Sequence, residues 1–478
     1  MNVAGFVASL IIPAVLGYGW VSLFWQRSHI AARLGYGYLL GVFATTLVIY
    51  AYGKSGFSLG FLPIASLLLI LMLIPFFLVW RRTSMGKVPP MELKHDFLGG
   101  GYQYWLWLFV IVFIGARVAG YITEEMLRPL YPWDAWMNWA PRSKVWFELK
   151  ELAPFVHYSV WQKESMEGAY LLANPDAFNY PPLVPLLQLW NALGLNMWRD
   201  NWINISWAGC VLAFALAFYG QLRMLRFGSL ASVVITWMLI SLPYLGTHAA
   251  LAGYADIWLS AFYCAAVMAL INWTITGSRA QLLLAVLMAL ACVFTKKPGM
   301  IWAATLLPGF FLATVPVQMR YVALGGAAAL LLLVMTVGVS LYLPGGHLLV
   351  LTSELVQIPG VGKYMLDYHP VGESFVKNSL WYNNWNVLGW LILCMAPIAL
   401  VRSFLIPRLL PGAVTVSSGV MFIIVVFFFT HHFKAALDST TINRALFHIV
   451  PAILYFSVVA IFWKGDDDFG SNYKNKAV

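Results

Sequence analysis

Residues 60–80 read GFLPIASLLLILMLIPFFLVW, an apolar run without a charged side chain. A helix needs about 20 such residues to cross the hydrocarbon core of a bilayer, so this run predicts a transmembrane helix. The whole 478-residue chain has the same character, since 61% of its residues are hydrophobic and only 10% are charged. Soluble proteins carry about 25% charged residues, which excludes a soluble enzyme and a disordered chain. Runs of helical length also exclude a transmembrane β-barrel, whose strands alternate in polarity.

Thirteen runs of this kind predict an all-α polytopic membrane protein, because lipid offers no partner to unpaired backbone groups. The predicted helices are 3–24, 33–52, 60–80, 104–122, 203–222, 228–247, 250–273, 280–294, 299–315, 321–343, 383–401, 409–430 and 445–463. A further apolar segment, 182–197, is short and is interrupted by Pro185 and Gly194. We expect that segment to be interfacial or re-entrant.

Basic residues predict the orientation of these helices, because short cytoplasmic loops carry an excess of Lys and Arg. If the helices alternate, one side holds Arg27, Arg33, Arg81, Arg82, Lys87, Lys94, Arg223, Arg226, Arg279, Arg320, Arg402, Arg408 and the lysines of the C-terminal tail. That side is predicted to be cytoplasmic, which leaves loops 123–202, 344–382 and 431–444 outside. The net charge of +10 is spread over helix ends, so no nucleic-acid partner is expected. We expect an integral protein of the cytoplasmic membrane whose site faces the periplasm or the cell exterior.

Asp134 lies in the first long outer loop, among Trp133, Trp136 and Trp139. A helix that starts here is predicted to lie flat in the headgroup layer with its tryptophans toward lipid. Two interpretations of Asp134 stay open. It caps the first N–H groups of that helix, or it is a general base at the membrane surface that takes a proton from a hydroxyl.

Asp256 is a carboxylate near the outer end of a predicted span, where an unpaired charge is costly. It either faces a substrate cavity or forms a structural pair with a cation at a helix end. Lys296 and Lys297 lie in a short outer loop, where basic residues are disfavoured. Two ammonium groups there suit a lipid phosphate, unless the helix 280–294 is misplaced and the pair is a cytoplasmic anchor. Arg444 is the third candidate for the phosphate, or a snorkelling anchor.

Arg142 is a further candidate for the phosphate, and Tyr180 either fixes the return of the chain into the membrane or contacts substrate. The pair His431-His432 is a minor candidate for zinc, because no third ligand follows at a recognisable spacing. The isolated Cys210, Cys264, Cys292 and Cys394 indicate core residues rather than a disulfide or metal site, and the turn Gly53-Lys-Ser55 and the tail triplet Asp466-Asp467-Asp468 are rejected as nucleotide or metal sites. The sequence requires no cofactor, and it lends no support to a divalent metal.

Five ordered segments resemble the GT-C glycosyltransferases, which include the lipid A aminoarabinose transferases and the protein O-mannosyltransferases. The segments are PWDAWMNWAPRSK at 132–144, NYPP at 179–182, GYAD at 253–256, TKKPG at 295–299, and Asn443-Arg444 with His448. The resemblance extends over 104–463. It leaves N-terminal transmembrane helices of unknown role at 1–103 and a cytoplasmic tail at 464–478.

The resemblance implies a GT-C-like catalytic domain that uses a polyprenyl-phosphate-linked sugar donor. It implies that Asp134 is the catalytic base, which activates a glycan, glycolipid or protein hydroxyl for inverting transfer on the outer face. The O-mannosyltransferases have Asp-Glu where this chain has Asp134-Ala135, which argues against a protein acceptor. The expected partners are the donor, the acceptor and membrane lipids. The predicted substrate-binding residues are Asp256, Lys296, Lys297, Arg444, Arg142, Tyr180 and His448.

Two other functions stay open at this point. A transporter or flippase of lipid-linked sugars also needs cations and aromatic side chains in the membrane. An outer-face polymerase or ligase moves whole glycans from diphosphate carriers. The polar residues are predicted to lie mainly on one side, and no inverted repeat of broken helices is visible, which favours the transferase over the transporter.

Overall fold

The computed structural model of the protein describes residues 2–84, 101–164, 168–344, 347–359 and 362–465. Within these ranges, ten helices are long and apolar enough to cross a membrane. They are Val3–Phe24, Ile30–Lys54, Phe61–Arg81, Tyr102–Leu127, Trp202–Met224, Asp256–Thr276, Val317–Val337, Leu388–Leu405, Leu410–Phe429 and Ile442–Phe462. A mainly helical polytopic membrane protein is therefore confirmed, whereas the count of thirteen spans is not.

The predicted span 228–247 is a broken helix. It is divided into Ser229–Ile240 and Pro243–Ala250, whose axes differ by 65°. Leu242 between them has an extended backbone with ψ of 128°, because a proline disfavours helical geometry in the residue before it. Counted as one span, this bent pair brings the described helices that could cross a membrane to eleven.

Two further predicted spans are not among the ten long helices. The helix Arg279–Thr295, which covers the predicted span 280–294, has only 17 residues. The predicted span 299–315 consists of Lys297–Ala304 and Leu307–Thr314, each with a proline in its first turn. Proline is well accommodated at helix starts and poorly in helix interiors, so this region is built from short helices rather than one long helix.

The segment 182–197 is predicted to be interfacial or re-entrant, and the structure shows that it does not lie on the protein surface. It forms the helix Leu183–Leu195, in which every residue is buried. Trp190 Nε1 donates to the carbonyl of Ser9 at 2.7 Å, and the backbone N–H of Asn2 donates to the carbonyl of Leu195 at 2.9 Å. The helix is therefore enclosed by protein, because other helices cover all its faces.

A small antiparallel sheet departs from the expectation of an all-α protein. The helix Arg320–Val337 ends at Gly338, whose φ of 79° suits glycine. The described strands follow in the order Val339–Leu343, His347–Leu351, Leu355–Ile358 and Gly362–Met365, each paired with the next. The end of the predicted span 321–343 is thus a strand, because valine, tyrosine and leucine suit strands as well as membrane helices.

The N-terminal helices pack closely on the rest of the protein. A side chain at Gly17 would meet the carbonyl oxygen of Gly37 at 1.8 Å, and one at Gly35 would meet the backbone oxygen of Ala213 at 2.5 Å. Small residues of this kind let membrane helices approach closely. Buried Tyr36 also donates to the carbonyl of Ala265 at 2.7 Å. Residues 2–54 therefore share a core with the helices of the proposed catalytic domain.

Two almost wholly buried helices, Asp256–Thr276 and Ile442–Phe462, cross near the centre of the protein, where Ser260 Oγ donates to the carbonyl of Phe447 at 2.8 Å. The short helices between the spans are Ala140–Leu149, Tyr158–Glu164, Gly372–Val376 and Phe433–Leu437, with the π-helices Ala135–Trp139 and Lys377–Trp381. One 3-10 turn, Pro175–Ala177, lies between spans, and two others, Trp202–Asn204 and Val317–Met319, begin a span. The tail from residue 466, with its aspartate triplet, lies outside the described residues, as do Lys87 and Lys94.

Candidate active site

Asp256 is the centre of a buried cluster of charged residues. It is the first residue of Asp256–Thr276, where the helix dipole favours a negative charge, and it is 0% exposed. Its Oδ1 lies 3.2 Å from Lys296 Nζ and 3.0 Å from His448 Nε2. Its Oδ2 accepts from Arg444 Nε at 3.1 Å and Nη2 at 2.6 Å. Of the two interpretations of this aspartate, the geometry is that of a structural pair with cations.

Asp134 approaches the same arginine from the long loop that follows Tyr102–Leu127. Arg444 Nη1 donates to its Oδ1 at 3.4 Å, and Nη2 donates to its Oδ2. Lys296 Nζ lies 3.8 Å from Oδ2. The side chain makes no capping hydrogen bond to the helix that follows it, so the capping interpretation is wrong. Asp134 is 5% exposed, and its carboxylate belongs to the cluster.

The tryptophans around Asp134 do not share one face. Trp133 is 51% exposed, whereas Trp139 is 0% exposed and packs on Tyr180 with ring centroids 5.4 Å apart. The prediction that all three tryptophans face lipid is therefore wrong. The reason is local, because Ala135–Trp139 forms a π-helix, whose wider turn moves Trp139 off the face that ordinary helical spacing predicts.

A glycine turn lets the two acidic segments approach each other. Gly253 has φ of 113°, and a β-carbon there would lie 2.6 Å from the β-carbon of Ala135. Only glycine combines this backbone with this contact. The turn before Asp256 therefore rests directly against the residue after Asp134, and this contact explains the glycine in GYAD.

Lys296 lies in the break between Arg279–Thr295 and Lys297–Ala304, with an extended backbone at φ −158°. This geometry turns its side chain inward, and the residue is buried. Burial, and then the nearby charge of Arg444, hold the pKa of Lys296 below its ordinary value, although Asp256 opposes this. Arg444 lies in the first turn of Ile442–Phe462, so both cations come from helix starts.

Lys297 points away from this cluster and does not pair with Lys296 as predicted. It is exposed, its Nζ lies 3.4 Å from the carbonyl of Asp176, and it is 5.1 Å from the ring centroid of Tyr180. The side chains of adjacent residues at a helix start point in different directions, so Lys296 and Lys297 are not expected to face the same group. Of the predicted lysine pair, only Lys296 reaches the carboxylates.

Arg142 supports Tyr180 rather than the cluster. Its Nη1 donates to the carbonyl of Tyr180 at 2.8 Å, and burial lowers its pKa to about 10. Tyr180 itself is half-buried, and burial followed by the negative charge of Asp134 raises its pKa. The segment NYPP is thus held beside the helix Ala140–Leu149, which places Tyr180 at the edge of the charged cluster.

Two contacts were not predicted from the sequence, one made by Arg444 and one made by the preceding residue, Asn443. The guanidinium carbon of Arg444 lies 5.4 Å from the ring centroid of Tyr254, a residue inside the GYAD segment. Asn384 donates to Asn443 Oδ1 at 2.9 Å, which ties the chain before Leu388–Leu405 to the residue preceding Arg444. Tyr254 could have been found from its motif, whereas no sequence signal marks Asn384.

His448 completes the cluster one turn below Arg444. Its Nε2 binds Asp256, its ring lies edge-on to Trp302 at 5.6 Å, and its Nδ1 is buried without a hydrogen-bond partner in the described structure. The imidazole thus limits the movement of the Asp256 carboxylate. Its second nitrogen is free for a polar group that enters the cluster.

The cluster as a whole joins two carboxylates to the guanidinium of Arg444 and the ammonium of Lys296, so the formal charges cancel while Lys296 is protonated. Such a site can hold an anion on its cations and accept a proton on a carboxylate. Among the described residues, no group of three or more His, Cys, Asp or Glu could hold a metal ion. No known protein family, curated protein or solved structure matches the chain.

Proposed function

We propose that the protein is a membrane glycosyltransferase that moves a sugar from a polyprenyl-phosphate donor to an acceptor hydroxyl on the outer face of the membrane. The observation that carries this proposal is the meeting of Asp134, Arg444 and Lys296, which come from distant segments of the chain. A base beside two cations suits a reaction in which a hydroxyl loses a proton while a phosphate leaves.

The proposed reaction is a single displacement. Asp134 takes the proton of the acceptor hydroxyl, and the hydroxyl oxygen forms a bond to the anomeric carbon of the sugar. The bond from that carbon to the phosphate oxygen breaks, and its electron pair leaves with polyprenyl phosphate. Arg444 and Lys296 stabilise the negative charge on this leaving group. Attack from the face opposite the phosphate inverts the anomeric configuration.

The other residues have supporting roles in this proposal. Asp256 is a positioning residue that holds Arg444, Lys296 and His448. Tyr180 and Tyr254, both half-buried beside the cluster, offer aromatic faces to the sugar. Arg142 holds the backbone at Tyr180, whereas exposed Lys297 contacts the carbonyl of Asp176 and has no part in the proposed step.

The test measures transfer from a panel of radiolabelled decaprenyl-phosphate sugars into lipid, glycan and protein fractions of membranes that contain the protein. Asp134→Asn should lower the rate by about 10²- to 10⁴-fold, as expected when a general base is lost. Trp133→Phe, at an exposed neighbouring position, is the matched control. Transfer at the unmodified rate by correctly folded Asp134→Asn protein contradicts the assignment of the base.

A transporter of lipid-linked sugars is a second candidate, favoured by the broken helix Ser229–Ile240 and Pro243–Ala250. Transporters use broken helices near their substrate. A side chain at Gly246 would lie 2.8 Å from Arg117 Nη2, so a membrane cation touches this broken pair. Turnover in detergent separates the two candidates, because transport needs two compartments and glycosyl transfer does not.

A further inference from the structure

Arg444 is shared unequally between two carboxylates. Asp256 is fully buried and has hydrogen bonds from Arg444, Lys296 and His448. Asp134 accepts hydrogen bonds from Arg444 alone among the described residues, while Lys296 lies 3.8 Å away. If Arg444 moves away from Asp134, the hydrogen bonds to Asp134 are lost. If it moves away from Asp256, Lys296 and His448 still bind that residue.

The observed pairing restricts access to the carboxylate of Asp134. The guanidinium group donates to both carboxylate oxygens, so it takes one acceptor direction of each oxygen, and an acceptor hydroxyl has to compete with it for the rest. Proton transfer requires the hydroxyl within hydrogen-bond reach of the carboxylate. Movement of Arg444 away from Asp134 would therefore open both oxygens to the acceptor.

A phosphate is suited to this exchange. It matches the planar fork of a guanidinium with two parallel hydrogen bonds, as a carboxylate does, and it offers more acceptor oxygens. Lys296 stands between the two aspartates, 3.2 Å from Asp256 Oδ1 and 3.8 Å from Asp134 Oδ2. An anion that binds Arg444 and Lys296 together thus competes with Asp134, while His448 continues to hold Asp256.

We propose that the donor phosphate releases the base: it takes the place of Asp134 on Arg444, so that Asp134 can accept a proton only while the donor is bound. This inference rests on the proposed function, and it adds a fixed order in which the donor precedes the acceptor. Two carboxylates and two cations cancel in the resting cluster, and the phosphate adds a negative charge. Protonation of Asp134 by the acceptor is balanced by the negative charge that forms on the leaving phosphate, where Arg444 and Lys296 stabilise it.

The exchange forms a closed cycle. Before the donor binds, Asp134 is held by Arg444 and cannot activate a hydroxyl or water. After transfer, polyprenyl phosphate and the proton leave, and Arg444 returns to Asp134. Asp256 keeps Arg444 close to its place throughout the cycle, which is why the fully buried carboxylate needs three partners.

The test uses the purified full-length protein in detergent with decaprenyl phosphate, and with decaprenol as the matched lipid without a phosphate. Dicyclohexylcarbodiimide, an apolar reagent that adds to protonated carboxyl groups, is applied, and labelled peptides are quantified by mass spectrometry. We expect decaprenyl phosphate, and not decaprenol, to increase the labelling of Asp134 severalfold. Glu125 serves as the internal reference, because it is buried without a hydrogen-bond partner in the described structure and its labelling should not change.

Binding is measured on the same samples by the shift in thermal unfolding that decaprenyl phosphate causes. If the lipid binds and the labelling of Asp134 stays constant, the exchange is wrong while the proposed function stands. If the lipid does not bind, both are wrong. Arg444→Lys, which keeps the charge but loses the paired hydrogen bonds, should show high labelling of Asp134 without any lipid. Low labelling in that variant also overturns the exchange.

Discussion

Arg444 hydrogen-bonds both carboxylate oxygens of Asp134, although 310 positions separate the two residues along the chain. The same guanidinium binds Asp256, which is 188 positions away. Buried charges of this kind are costly unless each is paired and hydrogen-bonded. The cluster therefore requires that the loop around Asp134, the turn before Asp256–Thr276 and the start of Ile442–Phe462 fold together.

Asp256→Asn should destabilise the protein by about 3–5 kcal/mol, as found when one partner of a buried ion pair is removed. The change leaves buried Lys296 and Arg444 without their shared carboxylate. Chemical denaturation in mixed micelles measures the free energy of unfolding. Asp134→Asn is the matched comparison and should cost less, because both cations keep Asp256. Equal costs for the two variants contradict the central role of Asp256.

Gly253→Ala should lower both stability and transfer. The residue has φ of 113°, and the added β-carbon would lie 2.6 Å from that of Ala135. Strained backbone of this type costs about 1–3 kcal/mol, and relief of the contact displaces Asp134. Gly325→Ala is the control, because it lies in a helix with nothing within 4 Å of the new atom. An unchanged transfer rate in Gly253→Ala shows that this contact does not position the base.

Lys296 should determine the alkaline limit of transfer, which is the pH above which the transfer rate falls. If a protonated lysine holds the phosphate, the rate falls as pH rises through the pKa of Lys296. Burial keeps that pKa below its ordinary value, so the fall begins below the range of an exposed lysine, about 10.4. Lys296→Arg should move the fall to higher pH, because a guanidinium remains charged there.

The pH profile of Lys297→Arg is the control for this prediction. Lys297 is exposed and contacts the carbonyl of Asp176 rather than a carboxylate of the cluster. Its replacement should leave the alkaline limit where it is. If the alkaline limit shifts in Lys297→Arg and not in Lys296→Arg, the phosphate is bound by Lys297, and our assignment to Lys296 is wrong.

Trp139→Ala should destabilise the protein by about 3–5 kcal/mol, the usual cost of truncating a buried aromatic residue. Trp139 is fully buried against Tyr180. Trp133→Ala, at an exposed position six residues earlier, should change stability by no more than about 0.5 kcal/mol. Denaturation of both variants in the same detergent checks the π-helix, because a regular helix with all tryptophans toward lipid gives similar values for the two.

Much of the fold was predictable from the sequence because membrane helices depend on local hydropathy. Phe61–Arg81 and Ile442–Phe462 closely follow the predicted spans. The predictions were wrong where one local sequence pattern is compatible with two different structures. The predicted span 299–315 divides just before Pro308, and the end of 321–343 forms a strand. Of the two alternatives for 182–197, interfacial or re-entrant, the interfacial one is wrong, since an apolar sequence does not distinguish lipid from protein surroundings.

Hydropathy along the chain establishes a polytopic membrane protein, because lipid admits long apolar segments only as helices with satisfied backbones. Asp134, Asp256, Lys296 and Arg444 were candidates from the sequence, because charged residues near membrane segments are costly and stand out, whereas His448 was implied by the family resemblance alone. The three-dimensional packing shows that these five share one cluster, that Lys297 and Arg142 stand apart, and that Arg444 is divided between two carboxylates. Such pairings depend on how helices distant in sequence pack together, and hydropathy along a single chain carries no record of that geometry.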